Sequence, residues 1–473
     1  MEKVTALIIR SCYGWKTRGL ILGVIGFLSF LTHAEEGSIP TSNPRHTYTL
    51  AECLALVERN HPALWVARAK LGFIHAQLDE ARWTPWWQWN ASGIVSIVPP
   101  IEGTAVYSPS SRVKLLNPML ANVIQPFAKL EVSGIVPLYT FGKIEAARKA
   151  AEANVRVNEW DLEKVKQQAR WDVRRAYFGL LLARNAKLIL DEVLSRLDHA
   201  IELLKSKIED GDPLVTEGDQ FRLEVYREEI SARAGEIPKG EATALSSLRF
   251  LTGVQTDFDI PNEVLRRPEK HLSSVTTYLL AARLHRPEIN MVRTGVLARK
   301  YWLNFNRAKL FPDLGLALGV SYSVAPSAIV QTNPWINDPL NGFGFGVGLG
   351  FKWNLDLFPQ AARVAQAQSQ LEETRAQARM VLGGLSAEVE QAYASALEAK
   401  NREVAWERAE QKSKQWIVVI QEAVDMGIEK ERALLDPLRA YVQARITHLQ
   451  ALLDYNNALS YLALVSGWDG AAP

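Results

Sequence analysis

From Trp87 the chain alternates between apolar and polar positions. Trp87, Trp89, Ala91, Gly93, Val95 and Ile97 fall on one parity, with Gln88, Asn90, Ser92, Ile94 and Ser96 on the other, so a strand over 87–98 has one apolar face and one mostly polar face. After a loop bounded by Pro99 and Pro126, a second strand is predicted over 127–138, with Leu130, Val132, Gly134, Val136 and Leu138 sharing a face. The pattern returns more sharply over 313–324, where Leu314, Leu316, Leu318, Val320, Tyr322 and Val324 alternate with glycine, alanine and serine. It returns again over 343–355, where Phe343, Phe345, Val347, Leu349, Phe351, Trp353 and Leu355 alternate largely with glycines. Each run is roughly 10 to 13 residues, the length of a tilted membrane-crossing strand.

After each strand pair the period changes to three and four. Apolar residues recur at 162, 165, 169, 173, 176, 180 and onward to 208 with Gly179 as the one glycine, which predicts a helix over 142–210 that would reach roughly 100 Å. A matching rod is predicted over 359–426, with return helices over 213–252 and 429–466. Ahead of the first strand a short helix is expected, with Thr49 or Asn60 as a cap, Pro62 in its first turn and Pro85 at its stop.

The two runs of elements are copies. Ala244-Leu245-Ser246 with Leu248, Thr252 and Gly253 recurs as Ala458-Leu459-Ser460 with Leu462, Ser466 and Gly467, and Val173, Ala176 and Tyr177 recur as Val389, Ala392 and Tyr393. One supersecondary unit is used twice. The expected division is a signal peptide over 1–34, a first repeat over 35–253, a linker over 254–285 and a second repeat over 286–473. The signal peptide is read from Arg10, Lys16 and Arg18 ahead of the apolar run Leu20 to Leu31, which is too short to span a bilayer. Its cleavage leaves Cys53 as the sole cysteine, so no intrachain disulfide is expected.

Composition mainly excludes. With 54 Lys+Arg against 52 Asp+Glu, no polycationic surface supports nucleic-acid binding. The histidines are scattered with no metal-ligand spacing, the period-two glycines belong to a strand face and not a phosphate loop, and no serine sits in a nucleophile elbow. No enzyme activity, cofactor or metal is expected.

No segment after the signal is long and apolar enough for a membrane helix, so membrane entry requires a closed β-barrel. Trp87, Trp89, Tyr139, Phe351 and Trp353 lie near helix-strand junctions, which fits an aromatic girdle at one membrane interface. Closed barrels start at about eight strands, so four strands per chain require several chains. Three copies give a twelve-stranded barrel, although strand count alone equally allows two or four. Helices continuous with the strands would prolong the barrel as a helical cylinder, with the linker packed outside it.

In this order of elements the chain resembles the TolC-like outer membrane efflux protein family (outer membrane factors). Asn60-His61-Pro62-Ala63-Leu64 and Arg286-Pro287-Glu288-Ile289 look like its helix-opening segments, and Val136-Pro137-Leu138-Tyr139-Thr140-Phe141-Gly142-Lys143 looks like its strand-to-helix junction, with 353–360 as the divergent second one. The resemblance implies a homotrimer in outer membrane lipid: a twelve-stranded transmembrane β-barrel continued by a twelve-helix α-barrel through the periplasm. It further implies a periplasmic adaptor (membrane fusion) protein and an inner-membrane pump or ABC exporter as partners.

By the same resemblance Gly211 and Gly427 are adaptor-facing hairpin tips, Asp436 a pore-constricting carboxylate and Glu217 part of a tip latch. Ala433 and Glu429 depart from the family's second pore aspartate and basic tip residue. The expected function is the outer membrane exit duct of a tripartite efflux pump for small molecules. The alternatives are the channel of a type I protein secretion system and a periplasmic coiled-coil scaffold or adaptor without a pore.

Overall fold

A computed structural model of the chain describes residues 46–98, 125–210, 215–254, 256–269, 271–326, 335, 338 and 340–472. The signal-peptide segment and Gly211 lie outside the described residues. Two short parallel strands, β1 (His46–Thr47) and β4 (Phe258–Asp259), pair with each other. The rest builds a sheet and a layer of helices.

The helices of the first copy begin with α1 (Leu50–Asn60) and α2 (Pro62–Trp83). Thr49 and Glu52 form a reciprocal capping box at the start of α1. His61 separates the two helices, accepting from Ala63 N–H through Nδ1 at 3.2 Å, and Pro62 occupies a first-turn position where its missing N–H costs nothing. The second copy repeats this as α5 (Val275–His285) and α6 (Pro287–Ala308), again helices of 11 and 22 residues with one residue between them. This corrects the expected linker over 254–285, because residues 275–285 are the opening helix of the second copy. A single short helix was also expected in the first copy, where two stand.

Strands β2 (Trp89–Val98), β3 (Gln125–Tyr139), β5 (Asp313–Val324) and β6 (Gly342–Lys352) form one antiparallel sheet in the order β2-β3-β5-β6. β2 starts two residues later than the expected 87, because Trp86 and Trp87 still donate to the carbonyl of Trp83 at the end of α2. β6 ends at Lys352, short of the expected 355. Register puts Ala91, Val132, Val320 and Phe345 in one row and Leu318 opposite both Gly134 and Val347, so the four apolar parities lie on one common face. Gly134 is required there, since a Cβ would strike the indole of Trp89.

From each strand pair runs a long helix. α3 (Lys143–Glu209) follows β3 and returns as α4 (Glu217–Thr252); α7 (Leu357–Asp425) follows β6 and returns as α8 (Leu435–Ser466), which a 3-10 turn over Glu431–Leu434 precedes. α4 starts at Glu217 and not at 213, and α8 at Leu435 and not at 429. Both return helices end on a left-handed glycine, Gly253 or Gly467. At 67 and 69 residues the long rods span about 100 Å each at 1.5 Å per residue.

Two tiers of helices result. Near the sheet, α3 is flanked by α2 and α6, and α6 in turn packs on α7 through Leu303, Ala367 and Leu371. Beyond the middle, α3 is flanked by α4 and α8, and α8 packs on α7. Each tier is therefore four helices wide, α2-α3-α6-α7 and then α4-α3-α8-α7, matching the four strands. The main core lies at the change of tier, where Cys53 and Val57 of α1 meet Ala169, Val173, Tyr177 and Leu180 of α3 and Leu248 of α4. Burial holds the Cys53 thiol protonated, pushing its pKa up to about 11.

Candidate functional site: sheet faces, hairpin tips and the strap

The sheet presents two chemically distinct faces. One carries Trp89, Val95, Ile97, Leu130, Leu316, Val320, Phe343, Phe345, Leu349 and Phe351, and the other carries Asn90, Ser92, Ser96, Ser133, Ser321 and the even-numbered glycines of β6. Every residue of β6 is exposed. A continuous exposed apolar band thus backs onto a mostly small and polar face, which also holds Ile94, Ile135, Lys129 and Glu131. Charge on and beside the polar face is paired: Lys129 lies 2.8 Å from Glu131, and Lys143 at the head of α3 lies 2.7 Å from Asp313.

Aromatics gather where strands meet helices. Trp87 lies in the turn before β2, Trp89 opens β2, Tyr139 closes β3, Phe351 lies near the end of β6, and Trp353 follows it with its indole N–H donating to Leu310 O at 3.1 Å. Tyr139, Phe141 and Phe311 form a ring ladder at 4.7 and 5.2 Å. The first strand-to-helix junction turns through two left-handed residues, Phe141 at φ 51° and Gly142 at φ 80°. The ladder holds Phe141 in a conformation a side-chain-bearing residue otherwise avoids.

At the far end, α7 stops in a Schellman motif. Gly427 adopts φ 70°, its N–H donates to Val424 O and that of Ile428 to Ala423 O. Asp436 is exposed in the first turn of α8, where the helix N-terminus favours a carboxylate. Glu217 is likewise an exposed first-turn residue of α4, next to the Thr216–Asp219 capping box. Among the described residues, the ties between the two hairpins are made by other side chains. Arg439 of α8 stands over the Tyr226 ring of α4 at 4.8 Å, Arg233 donates to Gln443 at 3.4 Å, and Arg445 donates to Glu192 of α3 at 3.1 Å. No spacing in the sequence signalled these, because each joins residues from different copies.

Between tip and membrane, the segment ahead of α5 straps the helices together. Arg184 of α3 pairs with Asp259 and Glu241 and donates to Ile260 O. Asn185 donates to Glu263 O and accepts from Leu265 N–H; Asn456 of α8 donates to Arg266 O; and Arg267 pairs with Glu403 of α7. Among the described residues no helix is long and apolar enough to cross a membrane, and no group of three or more His, Cys, Asp or Glu side chains is placed to hold a metal ion.

Comparison with known proteins agrees with this geometry. The sequence matches the outer membrane efflux protein family over residues 123–235 and 279–467. The chain belongs to that family. It is accordingly an outer membrane efflux channel protein, its helical part extending into the periplasm. No curated protein sequence matches it. Among solved structures, the outer-membrane channel OprN is similar with a TM-score of 0.71 at 17% identity, over 89% of this chain and 90% of that one. The Campylobacter jejuni CmeC outer membrane channel is similar at TM-score 0.69 and 16% identity, over 93% and 94%. The open state of the Neisseria gonorrhoeae MtrE outer membrane channel is similar at 0.71 and 14%, over 93% and 98%. At such identities the likeness is one of fold.

Proposed function

We propose that three copies of this chain close into a twelve-stranded membrane barrel continued by a twelve-helix cylinder, and that the assembly is the passive exit duct of a tripartite pump exporting small molecules. The observation that carries this reading is the constant width of the protomer among the described residues: four strands, then four helices, then four helices, with an open edge on each side at every level. β2, α2 and α4 make one edge, and β6 and α7 the other. An unpaired strand edge with an apolar face is untenable in hydrocarbon, and three four-strand sheets reach the even count above eight that barrels require.

In such an assembly Trp87, Trp89, Tyr139, Phe351 and Trp353 form the periplasmic-side girdle. The stretch that joins α3 to α4, with Gly211, and the Gly427 turn form the entrance that a periplasmic adaptor grips, below which an inner-membrane pump supplies energy. Asp436 becomes a threefold carboxylate constriction and Glu217 a tip latch. Three carboxylates held in one ring attract cations.

The test is single-channel conductance of the purified mature chain in a planar bilayer, beside Asp436→Asn. A small cation-preferring conductance is expected, with the preference weakened in the variant. A protein that stays soluble without detergent and forms no channel would overturn the duct. Unchanged selectivity in the variant would remove Asp436 from the constriction alone.

A further inference from the structure

Halfway down the second hairpin a histidine sits among carboxylates. His448 of α8 faces α7, with Nδ1 2.6 Å from Glu410 and Nε2 3.4 Å from Glu403. Glu403 is 1% exposed, so its charge must be answered by protein groups and not by water. Arg267 of the strap answers part of it, donating from Nε and Nη2 to Glu403 at 2.8 to 3.1 Å while also reaching Glu407 at 2.7 Å. Arg445, one turn before His448 on α8, lies 4.0 Å from Glu410, but its closer ties are to Glu192 of α3 at 3.1 Å and to the Tyr441 hydroxyl at 3.2 Å. Glu192 has Arg196 as a second partner at 2.7 Å, and the Tyr455 phenol feels the charge of Glu403 from within α8.

The charge count does not close without the imidazole. Glu403, Glu407 and Glu410 on α7 face Arg267, which serves two of them, and Arg445, which is shared with α3. A proton on His448 supplies the missing cation, and both ring nitrogens are already placed as donors to carboxylate oxygens. We propose that His448 is a pH-operated clasp: charged, it locks α8 to α7 at the level of the strap, and neutral, it loosens the hairpin that carries the Gly427 turn.

The sign follows from the partners. The hydrogen bond to Glu410 holds the imidazole above its ordinary pKa, with burial opposing and the charges of Glu410 and Glu403 adding to it. A group whose folded pKa is raised contributes stability that is fully present below its unfolded value and lost as pH rises through the folded one. The window thus opens near the ordinary histidine value of about 6.5 and runs upward.

The clasp is tested on the purified full chain in detergent by thermal unfolding between about pH 6 and about pH 8.5, where Asp, Glu and Arg keep their charges. The unfolding midpoint of the wild type should fall across this interval by roughly 2 °C, a size expected for one ion pair in a chain this large. His448→Gln should lack this alkaline-side fall and sit at the wild type's high-pH level above about pH 7, and Glu410→Gln should move the fall to lower pH. A wild type that does not respond, or a His448→Gln protein that keeps the whole fall, overturns the clasp. Should a variant fail to fold, the ring titration of His448 followed by NMR in the wild type decides: a midpoint at or below about 6.5 is fatal to the proposal. None of these readouts needs a working pore, so a bilayer experiment without conductance would sink the duct and leave the clasp standing.

Discussion

The two copies share a skeleton and differ in where they sit. α8 lies between two long helices and buries a side chain on nearly every turn, whereas its counterpart α4 lies at an edge and buries Tyr226, Ile230, Leu248 and Thr252. α4 also carries Pro238 in its interior with Gly235 and Gly240 beside it, residues that α8 replaces with Leu452, Leu449 and Asp454. A helix packed on both sides needs straightness and volume; one packed on a single side tolerates a missing backbone hydrogen bond. The long rods divide the opposite way, since α3 of the first copy is central and α7 of the second is the edge. Duplication thus supplied two similar halves, and position in the layer set which sequence rules each one keeps.

The same contrast appears where each copy's opening helices meet its return helix. Gly253 approaches Asn60, and Gly467 approaches His285 and Arg286, so closely that a Cβ would lie 2.8 Å from Asn60 or 2.9 Å from the Arg286 backbone. Both glycines are left-handed. The largest effects are expected here: Gly253→Ala and Gly467→Ala should each cost at least about 2 kcal/mol, from φ strain plus a backbone clash that cannot relax. Denaturant unfolding of the two variants measures it, and a tolerated Gly467→Ala would mean that the second copy's junction is looser than drawn.

Next in size is an exchange of the residues before Pro62 and Pro287. Arg286 is buried and pairs with Glu388 at 2.6 Å and Glu288 at 3.2 Å, while its counterpart His61 is buried with Nε2 unpartnered beside the charge of Asp172. Arg286→His should cost about 1 to 2 kcal/mol, less than a fully buried pair because Glu388 keeps contact with water. His61→Arg, which gives Asp172 a permanent partner, should be close to neutral. Equal effects in the two directions would show that the copies do not differ electrostatically at this point.

A smaller effect separates the copies by pH. Burial lowers the pKa of His61, with Asp172 opposing. A histidine easier to protonate when unfolded contributes stability above its ordinary pKa and loses it as pH falls below that value, the reverse of His448. His61→Gln should remove this acid-side loss from the melting profile and leave the alkaline-side fall untouched. The smallest expected change is Pro238→Ala, which should slow amide exchange in α4 around 234–242 without altering α8.

Much of the skeleton was legible because it rests on local period. The strand faces follow from alternation alone, and register confirms that Leu314 through Tyr322 and Phe343 through Phe351 share a side. The start of the second copy was misread for an equally local reason: Arg286-Pro287 is a strong helix-opening signal, and the weakly amphipathic α5 just ahead of it passed for linker. Trp87 fits the strand's apolar parity but is held, with Trp86, by the end of α2, so composition pointed one way and the backbone hydrogen bonds another. Asp436, Glu217 and Gly427 enter only by resemblance to the family, and their roles belong to the proposed duct. The strap contacts of Arg184 and Arg267, the Arg439–Tyr226 contact and the His448 cluster could not be read from the sequence, since each depends on residues far apart in sequence brought together by the tiers.

The sheet's open margins bear on how the protein reaches its membrane. Among the described residues β2 and β6 each leave one side of their backbone without a strand partner, and in hydrocarbon every such N–H and C=O costs several kcal/mol. A lone protomer is therefore barred from inserting, however apolar its outer face. In the proposed trimer, sister chains meet before or during entry, which makes insertion a steep function of how many copies are present at once.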